Sequence, residues 1–238
     1  LSTRKHGENS AIARLFARGH GVFAGVIKGA HSKTNRGVIQ PGNIVNAAWQ
    51  ARLAEHIGTF KCELLEAGAA HLMQDAMRLS ALTSLCALIE SSLPERHPYP
   101  KLYEAFKAFL ATLKSSDDWL EDYVKLELSL LAEAGFGLDL SRCAATGTTD
   151  DLVYVSPKSG RAVSSDAGEP YKEKLLALPA FFLPHNKKNR AEPAEILAGM
   201  QLTGYFLDHW LLSPHHRKLP AARGRLVENI KEEYGAEA

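Results

Sequence analysis

The apolar residues of this chain change their spacing once, near Gly68, and that change bounds the fold. Before it, short apolar runs are separated by glycine-bearing turns: SAIARLFA from Ser10 to Ala17, GVFAGVIKGA from Gly21 to Ala30, IVNAAWQARL from Ile44 to Leu53 and GTFKCELL from Gly58 to Leu65. The first two are joined by Arg18-Gly19-His20-Gly21, and the third follows Gln40-Pro41-Gly42-Asn43. Runs of this length with turn residues between them read as strands, the first pair as a hairpin. After Gly68 the period becomes helical. Leu72, Met73, Ala76, Leu79, Leu82, Cys86, Ile89 and Leu93 recur at three and four residues until Pro94 ends the run, which predicts one amphipathic helix.

Closely spaced strands followed by helices make an α+β protein. The expected architecture is a small OB-type β-barrel over residues 1–67 and a mostly α-helical domain over 68–238. A second helix opens at Pro100 and buries Leu102, Tyr103, Phe106, Phe109, Leu110 and Leu113. A third follows Ser115-Ser116, with Asp117 and Asp118 at its positive end, and stops at Gly135 or Gly137. Between 138 and 168 the pattern breaks into a polar insert in which LVYVS (Leu152 to Ser156), the turn Pro157-Lys158-Ser159-Gly160 and RAV (Arg161 to Val163) form a small hairpin. Helices resume over Tyr171 to Leu178, after Pro193 with Ile196, Leu197, Met200, Thr203, Leu207, Trp210 and Leu211 on one face, and after Pro220 to Tyr234. The longest linker is the loop from Leu183 to Glu192. An OB barrel has five strands, so one is missing from this count.

With 238 residues, 45% of them hydrophobic, the chain can bury a core in either domain. No apolar stretch approaches the roughly 18 residues of a membrane helix. Arg4, Lys5, Glu8, Arg14 and Arg18 stand where a signal sequence would be apolar. The three cysteines, Cys62, Cys86 and Cys143, provide neither a disulfide framework nor a Cys-x-x-Cys knuckle. A cytoplasmic protein with reduced thiols is expected.

The net charge of +1 hides an asymmetry. Residues 1–61 carry nine Lys/Arg against two Asp/Glu, residues 62–140 carry six against thirteen, and residues 141–238 carry thirteen against twelve. A basic head of this kind fits a polyanion, whose condensed counterions are released by Lys and Arg; it also fits a face kept charged for solubility. The segment from Lys28 to Arg36 places Lys28, His31, Lys33 and Arg36 on a flexible loop between two strands. Arg4, Lys5, Arg14, Arg18 and Arg52 extend the candidate phosphate-binding track. Cations without a ladder of hydrogen-bonding side chains grip a backbone without reading bases. Phe16, Phe23, Trp49 and Phe60 are the aromatics available for stacking, although in so small a barrel strand aromatics more often fill the core. A second basic patch is Arg217, Lys218, Arg223 and Arg225, which reads equally well as a solvated helix face. Neither a Gly-x-Ser-x-Gly elbow, a Walker-type loop nor paired carboxylates flanked by His occurs, so nothing points to catalysis. His215-His216 lacks local Cys or acidic partners and reads as a loop rather than a metal site.

The strings HGENSAIARLF, GHGVFAGVIKGAHS, VIQPGN and LELSLLAEAGFGLDLSRCAATG, followed by the insert LSRCAATGTTDDLVYVSPKSGRAVS, resemble the RecO family of bacterial DNA repair proteins over nearly the whole chain. The resemblance implies an OB domain binding single- and double-stranded DNA, strand annealing, and loading of the RecA recombinase with RecR onto strands coated by single-strand-binding protein, without a cofactor. It also implies a cytoplasmic, nucleoid-associated protein with no membrane. DNA contact carries over to Lys28, Lys33 and Arg36. Some members bind zinc through four cysteines in the insert; Cys143 alone stands there, so zinc is not carried over and Cys143 reads as a small buried residue. Family members begin with a strand ahead of the stretch matching Leu1, so the barrel's first strand is expected to be missing, leaving an open sheet edge. Two rivals remain: a protein adaptor whose weakened barrel does not hold DNA, and an RNA-associated OB protein.

Overall fold

The computed structural model describes residues 1–53, 56–184 and 190–234; the expected linker from Leu183 to Glu192 therefore lies partly outside the described residues. Packing divides the chain into two units, Leu1–Ser115 with Pro220–Arg223, and the remainder.

The first unit opens with β1 (Ser2–His6), β2 (Ser10–Ala17), β3 (Gly21–Lys28), the short helix α1 (Lys33–Val38), β4 (Ile44–Gln50) and β5 (Thr59–Glu66). All five strands join one sheet in the order β1-β2-β3-β5-β4, antiparallel except where β3 meets β5. This is the OB-like sheet, left open between its edges β1 and β4. The fifth strand, absent from the count made on apolar runs, is Ser2–His6, which pairs along β2 from Ser2 opposite Arg14 to His6 opposite Ser10. The segment STRKH has no apolar alternation, so only pairing with β2 makes it a strand.

The pleat of β2 sends alternate residues to opposite faces. Ala11 and Ala13 join Ile27, Ala30 and Phe60 in a small core, with Leu15, Phe23, Ile39, Trp49 and Cys62 packed against it. Gly25 is required there, because a Cβ at that position would fall 2.5 Å from the Phe60 ring. The other face of β2 meets helices. Phe16 packs on Tyr103 and Phe106, with ring centroids 5.7 and 6.4 Å away.

The helix predicted from Gly68 to Leu93 is broken into α2 (Gly68–Leu72) and α3 (Ala76–Ser92). Asp75 causes the restart: its Oδ1 accepts the backbone N–H of Arg78 at 2.9 Å, satisfying a donor that the first turn leaves open. Met73 and Leu79, expected in the core, are 76% and 38% exposed, whereas Leu82, Cys86, Ile89 and Leu93 are buried. Helix α4 (Pro100–Ser115) buries Leu102, Phe106, Phe109, Leu110 and Leu113, as its period predicts.

The second unit begins with α5 (Trp119–Glu133). It ends in a Schellman closure: Gly135, with φ of 91°, donates to the carbonyl of Ala132 and Phe136 to that of Leu131. The insert forms β6 (Leu152–Val155) and β7 (Ala162–Ser164), which pair as the predicted hairpin. A short helix α6 (Ser165–Gly168) runs into a 3₁₀ segment at Glu169–Lys174, and β8 (Leu176–Ala177) adds a third strand beside β6. The helix expected over Tyr171 to Leu178 is therefore corrected; strand pairing with Val155 and Tyr154 overrides a weak local pattern. Helix α7 (Pro193–Phe206) continues through a π-helical stretch at Leu207–Leu212. In the α5–α7 core the buried carboxylate of Glu127 accepts hydrogen bonds from the Tyr123 hydroxyl at 2.9 Å and the Thr203 hydroxyl at 2.6 Å. The last helix is α8 (Ala221–Tyr234). Among the described residues no helix is long and apolar enough to cross a membrane.

Candidate nucleic-acid interface

The segment from Lys28 to Arg36 is an ordered turn, correcting the flexible loop expected from the sequence. Gly29 takes φ of 64° at the end of β3. Ala30 is buried and donates its N–H to the carbonyl of Asn9 at 3.0 Å. Ser32 caps α1, its hydroxyl accepting the Asn35 N–H at 3.2 Å, and the Asn35 amide reaches back to the carbonyls of Lys28 and Gly29 at 3.2 and 3.1 Å. The far end of α1 is held by the Gln40 amide on the Arg36 carbonyl at 2.8 Å and the Asn43 amide on the Gly37 carbonyl at 2.8 Å. Because backbone and polar side chains satisfy the turn internally, Lys28, His31, Lys33 and Arg36 are left exposed. Helix α1 buries none of its residues.

The other candidate cations divide by what they touch. Arg4 lies 3.4 Å from the Glu90 carboxylate, Arg14 lies 3.6 Å from Glu90 and 3.1 Å from Glu95, and Arg18 lies 2.9 Å from Glu104. The acidic middle of the sequence thus supplies counter-charges for arginines of the basic head. Such pairs contribute little where both partners are solvated, but Arg14 bridges two carboxylates of which Glu90 is only 13% exposed. Lys5 and Arg52 are exposed. Lys61, missed by the sequence reading, is also exposed on β5, opposite Ala48. In the second basic cluster Arg217, Lys218 and Arg225 are exposed, while Arg223 is only 5% exposed and is removed from that surface.

Of the four aromatics, Phe16 belongs to the helix-facing side of β2. Phe23, Trp49 and Phe60 gather on the other face, with Phe23 5.0 Å from Trp49 and 6.4 Å from Phe60 between ring centroids. The guanidinium of Arg96 stands over Phe23 and Trp49. Arg96 lies between Pro94 and Pro98 in an acidic region, and no linear pattern ties it to the sheet.

Cys143 is 1% exposed. Burial pushes its thiol up, but donation from the Ser164 hydroxyl and N–H, each at 3.3 Å, and from Thr146 outweighs this and brings it down to about 6. Burial, helped by the nearby Glu90 carboxylate and opposed by the N-terminal charge, pushes the Cys86 thiol up. Among the described residues no group of three or more His, Cys, Asp or Glu gathers to hold a metal.

The family comparisons settle the kinship. The model for Recombination protein O N terminal matches residues 1–67, and that for Recombination protein O C terminal matches residues 73–220. The chain belongs to the RecO family. DNA repair protein RecO of Rhodospirillum centenum is 49% identical over 97% of this chain and 92% of its own length. The RecO proteins of Rhodospirillum rubrum and Phenylobacterium zucineum are each 44% identical, covering 97% and 98% of the chain and 93% and 95% of their own lengths. The N-terminal RecO match spans all five strands and the turn that presents Lys28, His31, Lys33 and Arg36. The RecO kinship makes this a protein of DNA repair and recombination.

Proposed function

We propose that this chain is a non-catalytic recombination mediator. It grips single- and double-stranded DNA by phosphate contacts, promotes annealing of complementary strands, and with RecR helps load recombinase onto strands coated with single-strand-binding protein. The observation that carries the reading is the braced turn at the end of β3, which holds four cationic or titratable side chains exposed on an OB-like sheet. Lys28, Lys33 and Arg36 neutralise backbone charge, so two complementary strands can approach with less repulsion. Their lack of an accompanying ladder of base-reading groups fits a protein that must act on any sequence. Lys5, Arg52 and Lys61 extend the grip on the same unit; Arg4 and Arg18 join it by exchanging solvated carboxylates for phosphates. Arg217, Lys218 and Arg225 form a second, separate contact for phosphate or an acidic protein segment. Binding and tethering require no cofactor, and the working place is the cytoplasm, at the nucleoid.

The test is annealing of complementary oligonucleotides precoated with single-strand-binding protein, comparing the unaltered chain with the Lys28→Glu, Lys33→Glu, Arg36→Glu variant. Acceleration by the unaltered chain that the triple reversal abolishes supports the mediator. Equal acceleration by both proteins rejects this turn as the DNA grip, and no acceleration by either leaves the adaptor reading, in which only protein contacts matter. The pairing of Arg4, Arg14 and Arg18 with glutamates favours that second reading. Competition with RNA of the same sequence separates a DNA protein from an RNA-associated one.

A further inference from the structure

Helix α1 carries Lys33 and Arg36, two of the three cations of the grip, yet none of its residues is buried. Ile39, its C-cap, packs against the core of the sheet. Lys33 and Arg36 stand three residues apart and so share one side of the helix. Where that side points is set by side-chain amides at the two ends of α1.

At one end the Asn35 amide donates to the carbonyls of Lys28 and Gly29, at 3.2 and 3.1 Å. Lys28 is the last residue of β3, in register with Ser10 of β2, so Asn35 ties α1 to the sheet. At the other end the Asn43 amide donates to the carbonyls of Gly37 and Val38, at 2.8 and 3.2 Å, while its Oδ1 accepts the N–H of Ala69 at 3.3 Å. Asn43 therefore ties α1 to the start of α2. The backbone that carries it has little room to move: a Cβ on Gly42 would fall 2.5 Å from the Leu82 side chain, and one on Gly68 would fall 2.2 Å from the Gly42 carbonyl oxygen. Both asparagines are half-buried and neither is charged.

We infer that Asn35 and Asn43 are positioning residues for the phosphate grip, acting through Lys28, Lys33 and Arg36, an inference that rests on the DNA-binding reading above. Cations on a loose turn meet phosphates only in the fraction of molecules whose turn is in order, and affinity falls by that fraction. A pair of amide hydrogen bonds shifts the balance between ordered and loose turn by about 5- to 150-fold. Once DNA is bound, the same three cations lie on phosphates whether or not the turn was ordered beforehand. The brace therefore raises affinity without changing the number of counterions released. Because α1 buries none of its residues, loosening it exposes little apolar surface, so affinity falls while global stability holds.

The experiment measures affinity of the full chain for an oligothymidylate over a salt series, with urea denaturation of every protein in parallel. The variants are Asn35→Ala, Asn43→Ala, and each of these in a Lys28→Ala, Lys33→Ala, Arg36→Ala background. Alanine is the better helix former, so Asn35→Ala does not weaken α1 through propensity. Asn35→Ala should bind about 10-fold more weakly at every salt concentration, with the salt slope and the unfolding midpoint unchanged. Asn43→Ala should weaken binding likewise, with some loss of stability because the Ala69 N–H loses its acceptor. In the triple-alanine background neither should cost further affinity, because the cations they position are gone. If Asn43→Ala fails to fold, Asn35→Ala decides. Full affinity in Asn35→Ala, a slope lowered as in the triple variant, or an equal loss in the triple-alanine background overturns the positioning role and spares the phosphate grip. Absence of binding by the unaltered chain, or undiminished binding by the triple-alanine variant, overturns both readings.

Discussion

Replacing Lys28, Lys33 and Arg36 together with alanine separates phosphate contact from structural charge in the basic head. None of the three enters an ion pair among the described residues, and α1 buries none of its residues. Stability should therefore stay within about 0.5 kcal/mol of the unaltered chain. DNA binding should respond strongly. Each phosphate contact on a single strand contributes about 0.7 to the slope of log affinity against log salt, so removing three lowers the slope by about 2. Between about 50 and 200 mM salt this shrinks the loss of affinity by about 20-fold. Arg14→Ala is the opposite control. It takes Arg14 from Glu95 and leaves Glu90 with Arg4 alone, so it should cost about 1 kcal/mol of unfolding free energy and change the slope little. Fluorescence anisotropy over a salt series gives the slopes, and urea denaturation gives the stabilities. A triple variant with an unaltered slope, or an Arg14→Ala slope reduced as much as that of the triple variant, would refute the division of cations into phosphate-binding and structural sets.

Three further outcomes test the second unit. Thr203→Val removes a 2.6 Å donor from a carboxylate buried between α5 and α7, so urea denaturation should show a loss of about 1–3 kcal/mol; a loss below about 0.5 kcal/mol would contradict that role. Gly160→Ala puts a Cβ at φ of 65° and 2.8 Å from Trp210, and it should lower stability by more than about 1 kcal/mol, which an unchanged melting curve would disprove. The Cys143 thiol, held at about 6 against an ordinary 9.0, is lowered by folding, so its stabilisation is full above pH 9 and is lost as pH falls through 6. Ser164→Ala removes a donor and should raise the midpoint of thiolate absorbance; an unmoved midpoint would remove Ser164 as its cause.

Most of the fold was legible where pattern and packing agree. Strands β2, β3 and β5 and helices α4, α5, α7 and α8 follow from period, turn residues and caps, because each has apolar residues at spacings its geometry buries, and β4 follows from its apolar run and the turn before it. The misses have physical reasons. Segment β1 is polar throughout and is a strand only because β2 offers it a ladder. The restart at Asp75 depends on one side-chain cap in an otherwise continuous helical period. Segment Leu176–Ala177 looks helical locally and is taken by the insert's sheet. At the candidate interface the sequence showed where cations are dense, but not which of them are already paired.

Residue types and their order determined the family, the α+β class, the basic character of the first segment and the place of the insert hairpin, because these depend on local propensity, composition and motif. Tertiary structure decided what each charge can do. It set Glu90, Glu95 and Glu104 against Arg4, Arg14 and Arg18, buried Arg223, braced the Lys28–Arg36 turn with Asn35, and carried Arg96 from a distant connection to Phe23 and Trp49. These are contacts between residues far apart in sequence, and a side chain's electrostatic partner is fixed by distances in space that no local pattern encodes.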